Sequence, residues 1–173
     1  ERAFDPAQVL GLMGGVALAA VFGFIDDKWQ LRARWQLLEQ LILAGTALAA
    51  GILIANVYNP FAVFGRLQQQ QQDLPPGVSE LVTVLWIIGM INSINFIDGL
   101  DGLSTGVSLI AALTLGVISM TGNVWTIEPL VALLCAALAG ALAGFLPWNF
   151  HPAKVFIGTT GVYSVGFALA VLS

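Results

Sequence analysis

The sequence predicts an all-α, polytopic membrane protein with five full transmembrane helices and a truncated sixth. Of its 173 residues, 58% are hydrophobic and 9% are charged, whereas soluble globular domains average about 45–50% apolar and 25% charged residues. The mean hydropathy is +0.88. Apolar runs of membrane-spanning length recur along the chain, and none alternates as the strands of a membrane barrel must. Helices are therefore the expected spans, because they satisfy their own backbone hydrogen bonds in lipid.

The expected spans follow the apolar runs in order along the chain. They are Ala7–Ile25, Gln36–Val57, Leu81–Ile97, Leu103–Met120 and Pro129–Leu146, followed by the short run Val162–Ser173. A helix over that last run would be too short to cross the hydrocarbon core. The chain also begins at Glu1 rather than Met. We therefore expect residues 1–173 to be the partial membrane core of a longer protein.

Proline and glycine residues separate several of these spans. Pro75, Pro76 and Gly77 precede the third, Gly122 and Asn123 should end the fourth, and Pro147 should end the fifth. The long loop between the second and third spans contains the glutamine tract Gln68–Gln72. A tract of this kind is typical of a variable, mobile loop, and we assign it no catalytic role.

Basic residues indicate the orientation in the membrane. Lys28, Arg32, Arg34 and Lys154 follow the first and fifth spans, whereas Arg2 and Arg66 fall on the other side. The positive-inside rule makes the first group cytoplasmic. Three polar segments then share the cytoplasmic face: Asp26–Arg34, Asn95–Gly102 and Asn149–Gly161.

Composition also narrows the classes of function and partner. The net charge is −4 and no basic patch is present, so nucleic acid is not an expected partner. The single cysteine, Cys135, permits no disulfide within the chain. The lipid bilayer is the partner that this composition requires.

The first polar segment opens with Asp26 and Asp27, at the C-terminal end of an apolar helix. Two carboxylates there face the negative end of the helix dipole, which is unfavourable unless a cation compensates them. Lys28 supplies part of that compensation. A divalent metal, or a substrate held by one, is the functional interpretation, and an ordinary polar exit from the membrane is the alternative.

The second polar segment carries Asn92, Asn95, Asp98 and Asp101 at intervals of three residues. On a helix, residues at this spacing lie about 60° apart and form a slowly drifting polar stripe. Two carboxylates and two amides are costly at the end of an apolar helix, which favours a functional site. A polar helix end facing water is the alternative.

The third polar segment combines amides, a cation and aromatic side chains. Asn149, His151, Lys154 and Phe156 suit a nucleotide phosphate and base. His151 is equally consistent with a hydrogen-bonded interfacial residue. Phe156 could also be an interfacial anchor, as Trp29, Trp35 and Trp148 are expected to be.

Taken together, the three segments resemble one enzyme family. The motifs Phe24-Ile-Asp26-Asp27, Asn92-x-x-Asn95-x-x-Asp98-Gly-Leu-Asp101-Gly-Leu and Asn149-x-x-Pro152-Ala-Lys-Val-Phe156 occur in the order seen in polyprenyl-phosphate N-acetylhexosamine-1-phosphate transferases. Ile97 and the Pro-Ala-Lys sequence before Val155 are more similar to the branch that uses UDP-N-acetylglucosamine than to the phospho-N-acetylmuramoyl-pentapeptide translocases. Early spans and a later histidine-bearing cytoplasmic loop of the family have no counterpart in this chain.

This resemblance implies a reaction and its participants. Such enzymes use Mg²⁺, with Mn²⁺ as an alternative, to join polyprenyl (undecaprenyl) phosphate to the hexosamine phosphate of a UDP-N-acetylhexosamine, and they release UMP. They lie in the bacterial cytoplasmic (inner) membrane, act at its cytoplasmic face and serve the synthesis of cell walls or surface polysaccharides.

The same resemblance implies roles for individual residues. Asp26 and Asp27 would serve the lipid phosphate, one of them as a base, and Asp98 and Asp101 would join them as catalytic residues. The implied substrate-binding residues are Asn92, Asn95, Asn149, His151, Lys154 and Phe156, with Asn149 and Phe156 at the uracil. The implied metal positions are Asp26, Asp27 and residue 159.

One position departs from the family pattern. The family continues Phe-Met-Gly-Asp-x-Gly-Ser and its Asp is a magnesium ligand, whereas this chain has Phe156-Ile-Gly158-Thr159-Thr160-Gly161-Val162. A hydroxyl is a poorer ligand than a carboxylate for a hard dication. The chain is then an inactive relative that binds without turnover, an altered sequence, or an enzyme whose metal is held by other carboxylates. We expect the isolated chain to be inactive. A transporter is disfavoured because Asp26, Asp98 and Asp101 lie at span ends rather than mid-membrane.

Overall fold

The all-α class is confirmed by a computed structural model, which describes residues 5–58, 71–121 and 129–173. These residues form six helices and one short pair of strands: α1 (Pro6–Trp29), α2 (Ala33–Ala49), β1 (Asn56–Tyr58), β2 (Gln71–Asp73), α3 (Val78–Ile97), α4 (Leu103–Thr121), α5 (Pro129–Asn149) and α6 (Gly158–Leu172). The two strands pair antiparallel, with Asn56 opposite Asp73.

Four of the described helices, α1, α3, α4 and α5, are long and apolar enough to cross a membrane. Helix α2 has only 17 residues, a length of about 26 Å. The prediction that the second span reaches Val57 was wrong. Its apolar composition continues to that point, but Gly51 adopts a φ of +76° and turns the chain into an extended segment.

Two helix boundaries also differ from those expected. Pro147 lies inside the last turn of α5 instead of ending it, and the Phe150 N–H donates to the Leu146 carbonyl at 2.7 Å to close one further turn. Helix α6 begins at Gly158, four residues before the predicted start at Val162, so Thr159 and Thr160 occupy its first turn. The expected break at Gly122 and Asn123 lies outside the described residues, as does most of the glutamine tract.

Helix α6 is the centre of the bundle, and every residue from Val165 to Leu172 is buried. Glycines let its neighbours approach closely, as small residues do where membrane helices cross. A Cβ at Gly23 of α1 would collide with the backbone of Thr159 and Thr160. This contact fixes the C-terminal end of α1, which carries Asp26 and Asp27, against the N-terminus of α6.

Neutral hydrogen bonds hold the opposite end of the bundle together. The Gln8 Nε2 donates to the Gly51 carbonyl at 3.1 Å, and the Ile54 N–H donates to Thr83 Oγ1 at 2.9 Å. The Ser79 hydroxyl donates to the Ile54 carbonyl. The turn after α2 is thereby tied to α1 and α3.

Candidate active site

The three polar segments meet at one end of the bundle. Asp27, at the end of α1, contacts the first turn of α6, and Asp101, after α3, contacts the connection between α5 and α6. The predicted convergence of the segments is therefore present in the fold. Their placement on the cytoplasmic side of the membrane stays a prediction.

Asp27 caps helix α6. Its Oδ1 accepts a hydrogen bond from the Thr159 N–H at 2.8 Å, and its Oδ2 accepts from the Thr160 N–H at 3.0 Å and the Thr160 hydroxyl at 2.7 Å. Gly158 enters the helix with a φ of +63°, and a Cβ on it would lie 3.0 Å from Asp27 Oδ2. The positive end of the α6 dipole thus compensates a carboxylate that the sequence alone assigned to a cation.

Asp26 points elsewhere and is only 6% exposed. Its Oδ1 accepts from the Leu31 N–H at 2.9 Å, and the Gln36 Nε2 lies 3.0 Å from Oδ1 and 3.1 Å from Oδ2. These donors are neutral and leave part of the acceptor capacity of the carboxylate unused, since a carboxylate offers about four lone-pair positions. Asp26 therefore closes the turn between α1 and α2 and can still bind a further group.

Asp98 and Asp101 flank the turn between α3 and α4, and their environments differ. Burial raises the pKa of Asp98, the nearby charge of Asp27 raises it further, and a hydrogen bond from the Ser104 hydroxyl opposes the change. The backbone N–H of Ala153, at 3.1 Å, and the ring of His151, whose Nδ1 lies 3.0 Å from Oδ2, hold the pKa of Asp101 below its usual range. Asp98 thus holds a proton more readily than Asp101 does.

His151 is paired with Asp101 and 81% of its side chain is exposed. The carboxylate contacts Nδ1, so it sets the orientation of the ring and leaves the far side of the imidazole toward solvent. A phosphate could approach there. The histidine and Asp101 act as one unit that links the α3–α4 and α5–α6 connections.

The amide side chains of the site are differently placed. Asn92 donates to Gln40 Oε1 at 2.7 Å and ties α3 to α2. Asn149 is 2% exposed; it accepts from the Thr105 hydroxyl at 2.7 Å and donates to the Val155 carbonyl at 3.0 Å. Both amides thus position other parts of the site. Asn95 is half-buried near the end of α3, and the expected contact of Asn149 with uracil stays a prediction.

Exposed aromatic residues surround this end of the bundle. Phe156 is 69% exposed. Three tryptophans carry a cation over the ring: Lys28 lies 4.9 Å from the centroid of Trp29, Arg34 lies 5.7 Å from that of Trp35, and Lys154 lies 5.6 Å from that of Trp148. Paired aromatic and basic side chains are typical of the membrane–water interface.

The residues present fit a magnesium ion, although not in the arrangement of the family motif. In residues 5–58, 71–121 and 129–173, no three His, Cys, Asp or Glu side chains come together as a metal-binding group. Magnesium needs only one or two carboxylates when waters and substrate phosphates supply its other ligands. Asp26 and Asp27 each accept three hydrogen-bond contacts, so each carboxylate keeps part of its acceptor capacity for a metal.

Several residues that shape the site carry no motif. Gln36, Ser104, Thr105 and Thr160 each donate to a site carboxylate or amide. The available signal was their polarity on otherwise apolar helices, with Gln36 and Gln40 four residues apart on one face. Their polarity predicts that these side chains face the interior of the bundle, but it does not identify their hydrogen-bond partners.

The chain matches known proteins over nearly its whole length. Residues 9–173 match the sequence profile described as glycosyl transferase family 4. A probable undecaprenyl-phosphate N-acetylglucosaminyl 1-phosphate transferase of Bacillus subtilis is 36% identical over 98% of this chain and 44% of its own length. A decaprenyl-phosphate N-acetylglucosaminephosphotransferase of Mycolicibacterium smegmatis is 36% identical over 97% of this chain and 40% of its own length.

A related group also matches. A phospho-N-acetylmuramoyl-pentapeptide-transferase of Listeria innocua is 31% identical over 91% of this chain and 49% of its own length. The chain therefore spans less than half the length of these curated relatives. The family profile covers nearly all of the chain, and it includes the three segments that the fold brings together. The chain belongs to glycosyl transferase family 4.

Proposed function

We propose that the full-length protein transfers N-acetylhexosamine 1-phosphate from a UDP-sugar, UDP-N-acetylglucosamine in the first instance, to polyprenyl phosphate at the cytoplasmic face of a bacterial inner membrane. An oxygen of the lipid phosphate attacks the phosphorus next to the sugar. A new P–O bond forms as the phosphoanhydride bond to UMP breaks, and UMP leaves. The observation that carries this proposal is the meeting of Asp27, Asp98 and Asp101 at one end of the helix bundle.

The location of the site suits both substrates. The prenyl chain can stay in lipid while its phosphate reaches the ends of α1 and α6, and the soluble nucleotide sugar can approach the exposed His151 and Phe156. Holding two phosphates in line supplies much of the rate enhancement in such a reaction. Bound magnesium, held by Asp26 with a second carboxylate, would neutralise phosphate charge.

The chain's own carboxylates divide the remaining work. Asp27 is rigidly oriented by three hydrogen bonds from α6 and so offers a fixed acceptor for a proton of the lipid phosphate. Asp98, which is oriented by the Ser104 hydroxyl, can accept a hydrogen bond from a sugar hydroxyl. Asp101 orients His151 at the nucleotide.

A second candidate function is binding without turnover. Thr159 favours it, because this position carries a hydroxyl where the family motif has a carboxylate. A protein of this kind would hold polyprenyl phosphate or a nucleotide sugar and release no UMP. A phospho-N-acetylmuramoyl-pentapeptide donor is the alternative within the enzymatic interpretation, and the Listeria relative makes it worth testing.

The deciding experiment measures UMP release by the purified full-length protein across a magnesium titration. Polyprenyl phosphate is the acceptor, and UDP-N-acetylglucosamine and UDP-N-acetylmuramoyl-pentapeptide are compared as donors. We expect magnesium-dependent release with the first donor, and a higher rate and magnesium affinity in Thr159→Asp. The binding function would instead be established if the wild type bound substrate without releasing UMP and Thr159→Asp restored UMP release.

A further inference from the structure

Glu39 is a buried carboxylate that the reaction just described does not use. It lies on α2 between Gln36 and Gln40, on the helix face that points into the bundle. The residue is 8% exposed, and its Oε2 is enclosed without a hydrogen-bond partner. An unpartnered buried carboxylate oxygen is strongly unfavourable, so its environment indicates a missing positive group.

The surroundings of Glu39 are acidic and polar. Asp26 is close enough for the two carboxylates to repel each other, and both charges act on the hydroxyl of Tyr163. Gln40 donates from Nε2 to that hydroxyl at 3.4 Å. Among the described residues, His151 and Asp101 form a salt bridge, and neither Asp26 nor Glu39 has a basic partner there.

Position 159 faces the same part of the bundle. Thr159 precedes Tyr163 by four residues in α6, so the two side chains lie on one face of that helix, one turn apart. A carboxylate at position 159, as in the family motif, would therefore lie one helical turn from Tyr163, whose hydroxyl is near the charges of both Asp26 and Glu39. Glu39 approaches this region from α2 instead of α6.

We propose that Glu39 and Asp26 form a divalent-cation site that takes Mg²⁺, and that Glu39 supplies the carboxylate that Thr159 lacks. This inference rests on the proposed function for its choice of metal. Two carboxylates suffice for Mg²⁺, because the ion keeps several waters and accepts substrate phosphates. The cation removes the repulsion between Asp26 and Glu39 and gives Oε2 the partner that it lacks.

The test measures metal binding in the absence of substrate. Mn²⁺ is titrated into the purified full-length protein in detergent and bound metal is read from its paramagnetic resonance signal. We expect Glu39→Gln to weaken Mn²⁺ binding at least about tenfold, which is the usual loss of affinity when a group around a metal site is removed. Asp73→Asn, at an exposed strand residue at the other end, removes the same charge and should leave binding unchanged. Glu39→Gln combined with Thr159→Asp should recover it.

Thermal unfolding gives a second, independent measurement. Without metal, Glu39→Gln should melt no lower than the wild type, because it removes a charge that lacks a partner. Added Mg²⁺ should raise the melting temperature of the wild type and not that of Glu39→Gln, since a ligand stabilises only a protein that binds it. Glu39→Asp, which keeps the charge on a shorter side chain, should retain part of the response.

Two results would overturn the inference. One is wild-type Mn²⁺ affinity in Glu39→Gln, which would make Glu39 a buried protonated acid. The other is the absence of Mn²⁺ binding by the wild type. Failure of the proposed function looks different, because metal would then bind through Glu39 while no UMP is released.

Discussion

The two ends of the helix bundle are joined by different kinds of hydrogen bond. At the end that carries the site, carboxylates accept from backbone N–H groups of other elements, as Asp27 does from α6 and Asp101 does from Ala153. At the opposite end, neutral side chains do the same work: Thr83 accepts from the Ile54 N–H, and Gln8 donates to the Gly51 carbonyl.

This difference shows that charge is not needed to join separate elements, since the carboxylates of Asp5 and Glu80 at the opposite end cap only their own helices. Hydroxyl and amide groups fasten the opposite end, and that end carries an open pocket of about 750 Å³ lined mostly by apolar residues. The carboxylates at the site are costly by comparison, since the charge of Asp27 helps to raise the pKa of Asp98. Neutral side chains would be enough if these residues only joined the loops to the helices. The presence of carboxylates at the site therefore favours a chemical role for them.

The largest expected effect comes from removing the charge of Asp27. Asp27→Asn in the full-length protein should lower the rate of UMP release at least about 10²-fold, as loss of an acid–base group does. The matched change at the other end, Thr83→Val, removes the acceptor of the Ile54 N–H. It should cost about 1–3 kcal/mol of stability and leave the turnover of the folded protein unchanged. A wild-type rate in Asp27→Asn would make that carboxylate a helix cap alone.

The two ends of the bundle also differ in what a tight glycine contact does for function. A Cβ at Gly23 would meet the backbone of Thr159 and Thr160, and one at Gly11 would meet the side chain of Ala50. Each alanine substitution should cost about 1–3 kcal/mol through overpacking. Only Gly23→Ala should also weaken Mn²⁺ binding and turnover, because it moves α6 away from Asp27.

The control for this pair is Gly14→Ala, on the same helix with nothing within 4 Å of the added Cβ. It should raise helix stability by about 0.5–1 kcal/mol. Thermal unfolding and metal titration of the three variants test the prediction. Loss of metal binding in Gly11→Ala to the same degree as in Gly23→Ala would erase the distinction between the two ends.

Thr160 should have a smaller effect through the orientation of Asp27. Thr160→Ala removes the 2.7 Å hydrogen bond from the hydroxyl and should cost about 1 kcal/mol of stability. The lower limb of the pH–rate profile should move to higher pH, because the carboxylate loses a donor that stabilises its charge. Thr160→Ser keeps the hydroxyl and should behave as the wild type. An unchanged profile in Thr160→Ala would mean that the backbone N–H groups alone orient Asp27.

The smallest effect concerns Asp101 and pH. Its folded-state pKa lies below the unfolded value of about 3.9. The stabilisation is therefore present above that value and is lost as pH falls through the folded-state pKa. Hydrogen exchange at the Ala153 N–H should accelerate, relative to a reference amide, as pH falls through this window. In Asp101→Asn that relative exchange should be fast throughout, and an identical pH response in the variant would exclude Asp101 as its source.

The sequence by itself determined the fold class, the order of the apolar helices and the three segments that make the site. Hydropathy and the spacing of polar residues are properties of short stretches of sequence, so they predict helices and polar segments without tertiary information. The end of α3 at Ile97 and the start of α4 at Leu103 were predicted at the observed residues. The motifs around Asp26, Asp98 and Asn149 likewise led to the family.

Other features depended on the tertiary structure. Asp27 and Thr159 lie 132 positions apart, so no local pattern could show that a helix dipole compensates the carboxylate. The burial of Asn149 against Thr105, and of Glu39 beside Asp26, follows from how α2, α4, α5 and α6 pack. The predicted second span was also too long, because an apolar composition does not distinguish a helix from the extended chain that follows Gly51. Charge compensation and burial belong to pairs of elements, and only the assembled bundle decides which elements meet.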